Sequence, residues 1–299
     1  MMWHIKKSID RLTRLLFAVS ILLTTSLSAI EQKSSLEIPL ILSTENIIRH
    51  TGYSLVYSEK DEQAKWVAYI LTKDQLEHPV ATRDKVSFII DPSIKTGSAK
   101  PSDYIKSGYD RGHLCPAADN KWSLQAMKDS FYMSNMSPQM PELNRVVWSN
   151  LEEQVRQWAI EFGTVYVATG PILPGENTHK HIGKEEVTVP DKFYKVILAA
   201  GTHPMAIGYV ISNIDSLLPF EQYQCSVDEV EKISGINFFP ALPDNIEERV
   251  ESAIGDFKRP LDKKMESVVK VPLILVVILP VFMIILVMGY RKRIIERTK

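Results

Sequence analysis

The sequence predicts one α+β domain of about 240 residues, on three observations. Runs of β-branched and aromatic residues come in groups and do not alternate strictly with helices. One long amphipathic helix separates those groups. No segment repeats at a fixed period.

The elements follow in order. Residues 31–50 read as an extended lead-in, polar and then apolar at Ile38–Leu42. Tyr53–Ser58 and Trp66–Leu71 are β-rich runs around Glu59-Lys60-Asp61-Glu62, which predicts a hairpin. Val86–Ile90 reads as a third strand, ended by Asp91-Pro92. A Gly/Ser/Pro/Lys-rich loop over 95–109 leads into Asp110-Arg111-Gly112-His113. Ser123 stands where a cap would start a helix through Gln125–Phe131, and a polar, Pro-containing loop follows at Ser134–Leu143. Trp148, Leu151, Val155, Trp158 and Phe162 recur at spacings of 3, 4, 3 and 4, which predicts a helix over Asn144–Phe162 that Gly163 ends. Thr164–Thr169 is a β-branched strand closed by Gly170-Pro171, and residues 173–186 form a polar loop. Phe193–Ala199 and Met205–Ser212 read as paired strands around Gly201. Ser226 and Glu229 form a capping box for a short helix to Ile233.

With 24% charged and 45% hydrophobic residues, 13 Gly and 17 Pro, the chain is not collagen-like, coiled-coil or disordered. Its net charge of −1 is unevenly spread: residues 30–267 hold 25 basic and 34 acidic groups, and both ends are basic. A protein that coats DNA would be basic overall. Residues 83–156, with ten basic and nine acidic groups, are the least acidic part of the middle. A local basic groove there, including Lys121, Lys128 and Arg145, would bind a polyanion with strong salt dependence.

The ends read as membrane signals. Lys6, Lys7, Arg11 and Arg14 precede an apolar run from Leu15 to Ile30 that closes on Ser26, Ser28 and Ala29, the pattern of a signal peptide over 1–29. An uncleaved anchor and a mitochondrial presequence are the alternatives. Val271–Tyr290 is 20 residues without a charge, long enough to span a bilayer, and Arg291-Lys292-Arg293 follows. The expected organisation is therefore 1–29 signal peptide or N-terminal anchor, 30–52 lead-in, 53–267 globular domain, 268–290 transmembrane helix and 291–299 basic cytosolic tail. The positive-inside rule then puts the domain on the non-cytosolic side: periplasmic, extracellular or lumenal. Cys115 and Cys225 fall in that domain, where a disulfide and two buried thiols are equally open readings.

Candidate chemistry gathers in three clusters within 43 residues: Asp110–His113, Ser134–Gln139 and Asn144–Glu152. His113 is the only histidine in a Gly-flanked charged motif, where Gly112 allows a backbone conformation closed to other residues. A neutral imidazole there could act as a general base. Asn144 is either a helix cap or, through its amide oxygen, a ligand for a hard cation. Glu152 stands eight residues on, about 12 Å along an ideal helix, and suits contact with the ion through water. Asn135 could orient a phosphate or a metal water, or stabilise its turn. Arg111 and Arg83 are candidates to grip phosphate oxygens. Asp110 is better placed to fix its loop through an arginine or the backbone.

DRGHLCPAADN, FYMSNMSPQ and LNRVVWSNLE, in this order, resemble the DNA/RNA non-specific endonuclease family, the ββα-metal (His-Me finger) nucleases that include mitochondrial endonuclease G and secreted bacterial nucleases. The resemblance runs from about Tyr53 to Pro243 and rests most on the linked pattern Asn135–x8–Asn144–x7–Glu152. It implies a mainly antiparallel central sheet flanked by helices. It also implies cleavage of DNA and RNA to 5′-phosphate ends with Mg2+, or Mn2+ as a substitute. His113 then matches the general base, Asn144 the direct metal ligand, and Glu152 and Asn135 the residues supporting the hydrated metal and phosphate. Arg111 matches the motif arginine, with Arg83, Lys121 and Arg145 as further substrate contacts and Asp110 and Gly112 as motif framework. The expected partners are DNA and RNA, a lipid bilayer through the C-terminal helix, and a second copy in a homodimer. Two other readings compete: a catalytically silent nucleic-acid-binding or uptake protein, and a hydrolase of small phosphodiesters. The intact His113, Asn144 and Glu152 set favours the endonuclease, because a binding module needs no base.

Overall fold

The structure, a computed structural model, describes residues 35–84, 86–173, 180–215 and 218–257. Residues as far as Asp256 form one compact unit. The expected signal segment, the 268–290 span and the basic tail lie outside the described residues. Among the described residues no helix is long and apolar enough to cross a membrane.

The β-rich runs build one seven-stranded sheet, antiparallel throughout, in the order β1-β2-β3-β6-β9-β10-β11. β1 (Ile47–Arg49), β2 (Ser54–Ser58) and β3 (Gln63–Thr72) form one side, and the hairpin falls where the charged turn predicted it. α1 (Lys73–Glu77), β4 (Asp110–His113), α2 (Leu124–Asp129), β5 (Met136–Gln139) and α3 (Ser149–Phe162) come next, followed by β6 (Thr164–Ile172). The two-residue strands β7 (His181–Ile182) and β8 (Val187–Thr188) precede β9 (Lys192–Ala199) and β10 (Met205–Ser212). β11 (Gln224–Cys225), α4 (Val227–Ser234) and α5 (Asp244–Glu251) complete the order.

Period-two alternation gives the sheet two faces with different cover. On one, Trp66, Ala68, Tyr194 and Val196 pack with Val227 and Val230 of α4, Val250 of α5, and Phe238 and Phe239 between the helices. On the other lie Tyr69 and Lys195, beneath Trp148 at the start of the long helix. The side chains at spacings of 3 and 4 that predicted this helix, Leu151, Val155 and Trp158, are all buried.

The sheet is left and re-entered at a narrow neck. Thr72 at the end of β3 pairs with Thr164 at the start of β6, and Lys73 N–H donates to the Gly163 carbonyl at 2.9 Å. Gly163 takes φ 80°, a left-handed conformation that glycine adopts at low cost. Everything between, residues 73–163, is an excursion from two adjacent sheet positions.

Several local expectations are corrected. Val86–Ile90 is not a strand: only Ile89 bridges to Tyr132, and Ile89 and Ile90 are exposed, so the apolar run has no sheet neighbour to bury it. Met136–Gln139, read as part of a loop, and Asp110–His113, given no element, pair as antiparallel strands with His113 opposite Met136 and Asp110 opposite Gln139. Helical structure begins at Pro141, with a π-helical segment over Leu143–Trp148 before α3, so Asn144 lies inside the helix and does not cap it. β6 runs on through Gly170 and Pro171, which pair with Tyr194 and Phe193. Ser123 caps α2 and Ser226 caps α4 as expected.

Candidate active site

The short ribbon of β4 and β5 sets one wall of the site. Alternation along β4 turns Arg111 and His113 to the same side. Both line a cleft of about 380 Å3, together with Arg83, Phe88, Asn144 and Glu152. Gly112 between them does not use left-handed backbone, against expectation. Its need for no side chain is spatial: a Cβ would stand 2.1 Å from Gln139 Oε1 on the paired strand.

His113 is held by aromatic rings. Phe131 meets it edge-on at 5.1 Å and Phe88 lies at 5.7 Å between centroids. Burial pushes its pKa down to about 3, and the charge of Arg83 adds to the shift. The ring is therefore neutral across the physiological range. Its Nε2 is buried without a hydrogen-bond partner among the described residues. A ring in this state can accept a proton from a reactant in the cleft.

The segment after His113 is pinned by Asn135. The Asn135 Oδ1 accepts from Cys115 N–H at 2.9 Å, and its Nδ2 donates to the Cys115 and Ser130 carbonyls, each at 2.9 Å. The side chain is fully buried and all its bonding is internal. Asn135 thus stabilises its turn and positions the histidine strand, one of the two roles its sequence position left open.

The start of the long helix forms the facing wall. Asn144 Nδ2 donates to Asp110 Oδ2 at 2.9 Å, and Arg145 grips the same carboxylate through Nε at 2.8 Å and Nη2 at 2.7 Å. Burial alone would raise the Asp110 carboxyl, but the hydrogen bonds from Arg145 and Asn144 and the arginine charge hold it below the usual range. With its amide nitrogen committed, Asn144 has its oxygen left for a cation. Arg145 lines the cleft but is engaged with Asp110. Lys121 and Lys128 are exposed and lie outside the lining of this cleft. Arg111 lies 4.9 Å above the Phe88 ring, donates to the Pro101 carbonyl at 3.2 Å and has its Nε without a partner among the described residues. Arg83 lies 5.8 Å over Phe131.

Glu152 enters the cleft from α3, and a buried charge cluster that sequence reasoning missed lies behind it. Burial pushes its carboxyl up, Lys195 and Arg156 oppose the shift, and Asp119 adds to it. Arg156 donates to Asp119 at 2.9 Å and also pairs with Glu153. Lys195 is fully buried, its Nζ 4.9 Å from the Trp148 ring and 5.9 Å from that of Tyr69. The available signals were a lysine inside the apolar run Phe193–Ala199 and an arginine one helical turn after Glu152. The two cysteines are both free and buried, which settles the open disulfide question.

The donor set fits a hydrated hard cation. One amide oxygen and one carboxylate face a polar cleft, and magnesium needs few protein ligands because it retains several waters. A buried base on one wall, oxygen donors on the other and arginines around a phosphate-sized space give the make-up of a nuclease.

Residues 37–245 match the model of the DNA/RNA non-specific endonuclease family, and the chain belongs to that family. It is 38% identical over 208 residues to Nuclease EXOG, mitochondrial, of Danio rerio, covering 64% of this chain and 60% of that protein. Identity to Endonuclease G, mitochondrial, of Homo sapiens is 38% over 204 residues, covering 64% and 68%. Nuclease C1 of Cunninghamella echinulata var. echinulata is 35% identical over 214 residues, covering 67% and 85%. Among solved structures, one of an EndoG/EndoGI complex aligns with a TM-score of 0.67 at 29% identity, covering 77% of this chain and 97% of that one.

Proposed function

We propose that this chain is a magnesium-dependent endonuclease that hydrolyses phosphodiester bonds in DNA and RNA, with His113 as its base. The observation that carries the reading is the buried His113, its Nε2 without a hydrogen-bond partner among the described residues, across one cleft from Asn144 and Glu152. Arg83 and Arg111 orient the scissile phosphate through charge-assisted hydrogen bonds. His113 takes a proton from water as the water oxygen bonds to phosphorus and the bond to the 3′ oxygen breaks, leaving a 5′-phosphate. Asn144, oriented by Asp110, and Glu152, through water, would hold the magnesium, which supplies positive charge against the departing oxygen. Names of relatives such as Endonuclease G support the reaction class.

The domain acts on the non-cytosolic side of a membrane in this reading, tethered by residues 268–290. The support is the uncharged run Val271–Tyr290 followed by Arg291-Lys292-Arg293. Following supercoiled plasmid with the full chain tests the chemistry. Nicking in magnesium that disappears with EDTA and in His113→Ala is the expected result. Plasmid binding without nicking under every condition would overturn it in favour of a binding protein.

A further inference from the structure

A second cluster of oxygen donors lies on the face of the sheet away from the cleft. One carboxylate oxygen each from Asp228, Glu231 and Glu251 lies within 4.8 Å of the other two. Asp228 and Glu231 are one turn apart on α4, and Glu251 ends α5, so the three span the seam between the helices. Glu231 is oriented by accepting from Phe238 N–H at 2.7 Å.

Glu251 sets this apart from an ordinary acidic patch. It is only 4% exposed, and its Oε1 is buried without a hydrogen-bond partner among the described residues. Leaving a buried carboxyl oxygen unsatisfied is destabilising, because it has given up water without gaining a partner. The neighbouring charges that bear on Glu251 are those of Glu231, Glu247 and Asp228, all of its own sign, and with burial they push it up to about 9. Such a group is relieved by a proton or by a cation.

We propose that Asp228, Glu231 and Glu251 hold a calcium-type divalent cation that clasps α4 to α5. The donors are all hard oxygens, which excludes a soft-metal preference. Three oxygens within 4.8 Å of one another can share one ion, and calcium takes oxygen ligands in flexible geometry where magnesium demands a near-ideal octahedron. Three protein oxygens leave room for water, since Asp228 is exposed and Glu231 half-buried. The ion would fasten α5, the last helix of the described residues, to α4.

Calorimetric titration of calcium chloride into full-length Asn144→Ala separates this site from the cleft. One saturable equivalent of calcium is expected there, with affinity falling at least 10-fold when Asp228→Asn or Glu251→Gln is added. On the otherwise wild-type chain, calcium at a hundred times its Kd should raise Tm by about 5–10 °C. Asp228→Asn, a surface change, should remove that rise and leave magnesium-dependent nicking at the wild-type rate. No binding by Asn144→Ala at millimolar calcium, or binding retained in both cluster variants, overturns the proposal. So does a Tm raised by Glu251→Gln alone with no response to calcium, which assigns the cluster to proton sharing. Failure of the nuclease reading would appear separately, as nicking that does not depend on His113.

Discussion

Asn144 Nδ2 donates to Asp110 Oδ2 at 2.9 Å, joining the histidine strand to the helix that faces it. The bond fixes which end of the amide faces the cleft, a choice that Asn144 alone does not make. Partners that orient a ligand in this way are worth about 10–100-fold in metal affinity. Asp110→Ala should therefore shift the magnesium midpoint of plasmid nicking upward by about that factor while the protein stays folded. An unmoved midpoint would mean that Asp110 serves only Arg145.

Lys195 sits fully buried behind Glu152 with aromatic rings around its ammonium group. Lys195→Met leaves Glu152 and Asp119 with Arg156 as their remaining cation in the cluster. Lys195 Nζ makes no hydrogen bond or ion pair among the described residues, so it acts on Glu152 through charge alone. Urea unfolding in EDTA should show a loss of about 0.5–3 kcal/mol, partly restored by adding Glu152→Gln. Wild-type stability in the single variant would count against that coupling.

His113 supplies a pH test of the fold. Its folded pKa is about 3, against about 6.5 in the unfolded chain. Above pH 6.5 both states are neutral and the group is silent. As pH falls from about 6.5 towards 3, the unfolded chain takes up a proton that the folded one refuses, so stability declines. Thermal unfolding of wild type and His113→Leu at pH 7 and pH 4 should show a smaller acid loss in the variant. Parallel losses would place the ring in a wetter setting than the Phe88 and Phe131 cage.

Cys115 and Cys225 are both buried, and burial pushes the second thiol up to about 12 and the first higher. Neither should react with a thiol reagent in the native protein at pH 8, and both should react after denaturation. Mobility on non-reducing gels should be unchanged by reductant; a shift would reveal a bridge.

The elements whose side chains carry a strong period were legible in the sequence. The β2–β3 hairpin, the β9–β10 pair and the long helix bury most of the residues whose pattern predicted them, with Phe162 half-buried at the helix end. β4 and β5 were not legible, because Asp-Arg-Gly-His and Met-Ser-Pro-Gln have little strand preference of their own. Their pairing is a tertiary matter, set where Gln139 fills the space Gly112 leaves. At the site, His113, Arg111, Asn144 and Glu152 do line one cleft. For Asn135 the sequence left two roles open, because an asparagine in a Pro-containing loop serves backbone carbonyls as readily as a ligand, and the bonding matches the turn-stabilising one. Charge balance along the chain did not say which way Lys121 and Lys128 face.

The neck at Thr72 and Thr164 makes residues 73–163 a cassette mounted on a chassis. It enters and leaves through neighbouring positions of one sheet, so it could be lifted out as a block without cutting any other strand pairing. The cassette would take the base, the amide ligand, the carboxylate and the arginines with it. It would leave Lys195 behind, since that residue belongs to β9. A foreign sheet receiving this cassette must therefore offer a buried cation beneath the incoming glutamate, together with partners for the bonds that His50, Gln63 and Asn213 now make to it.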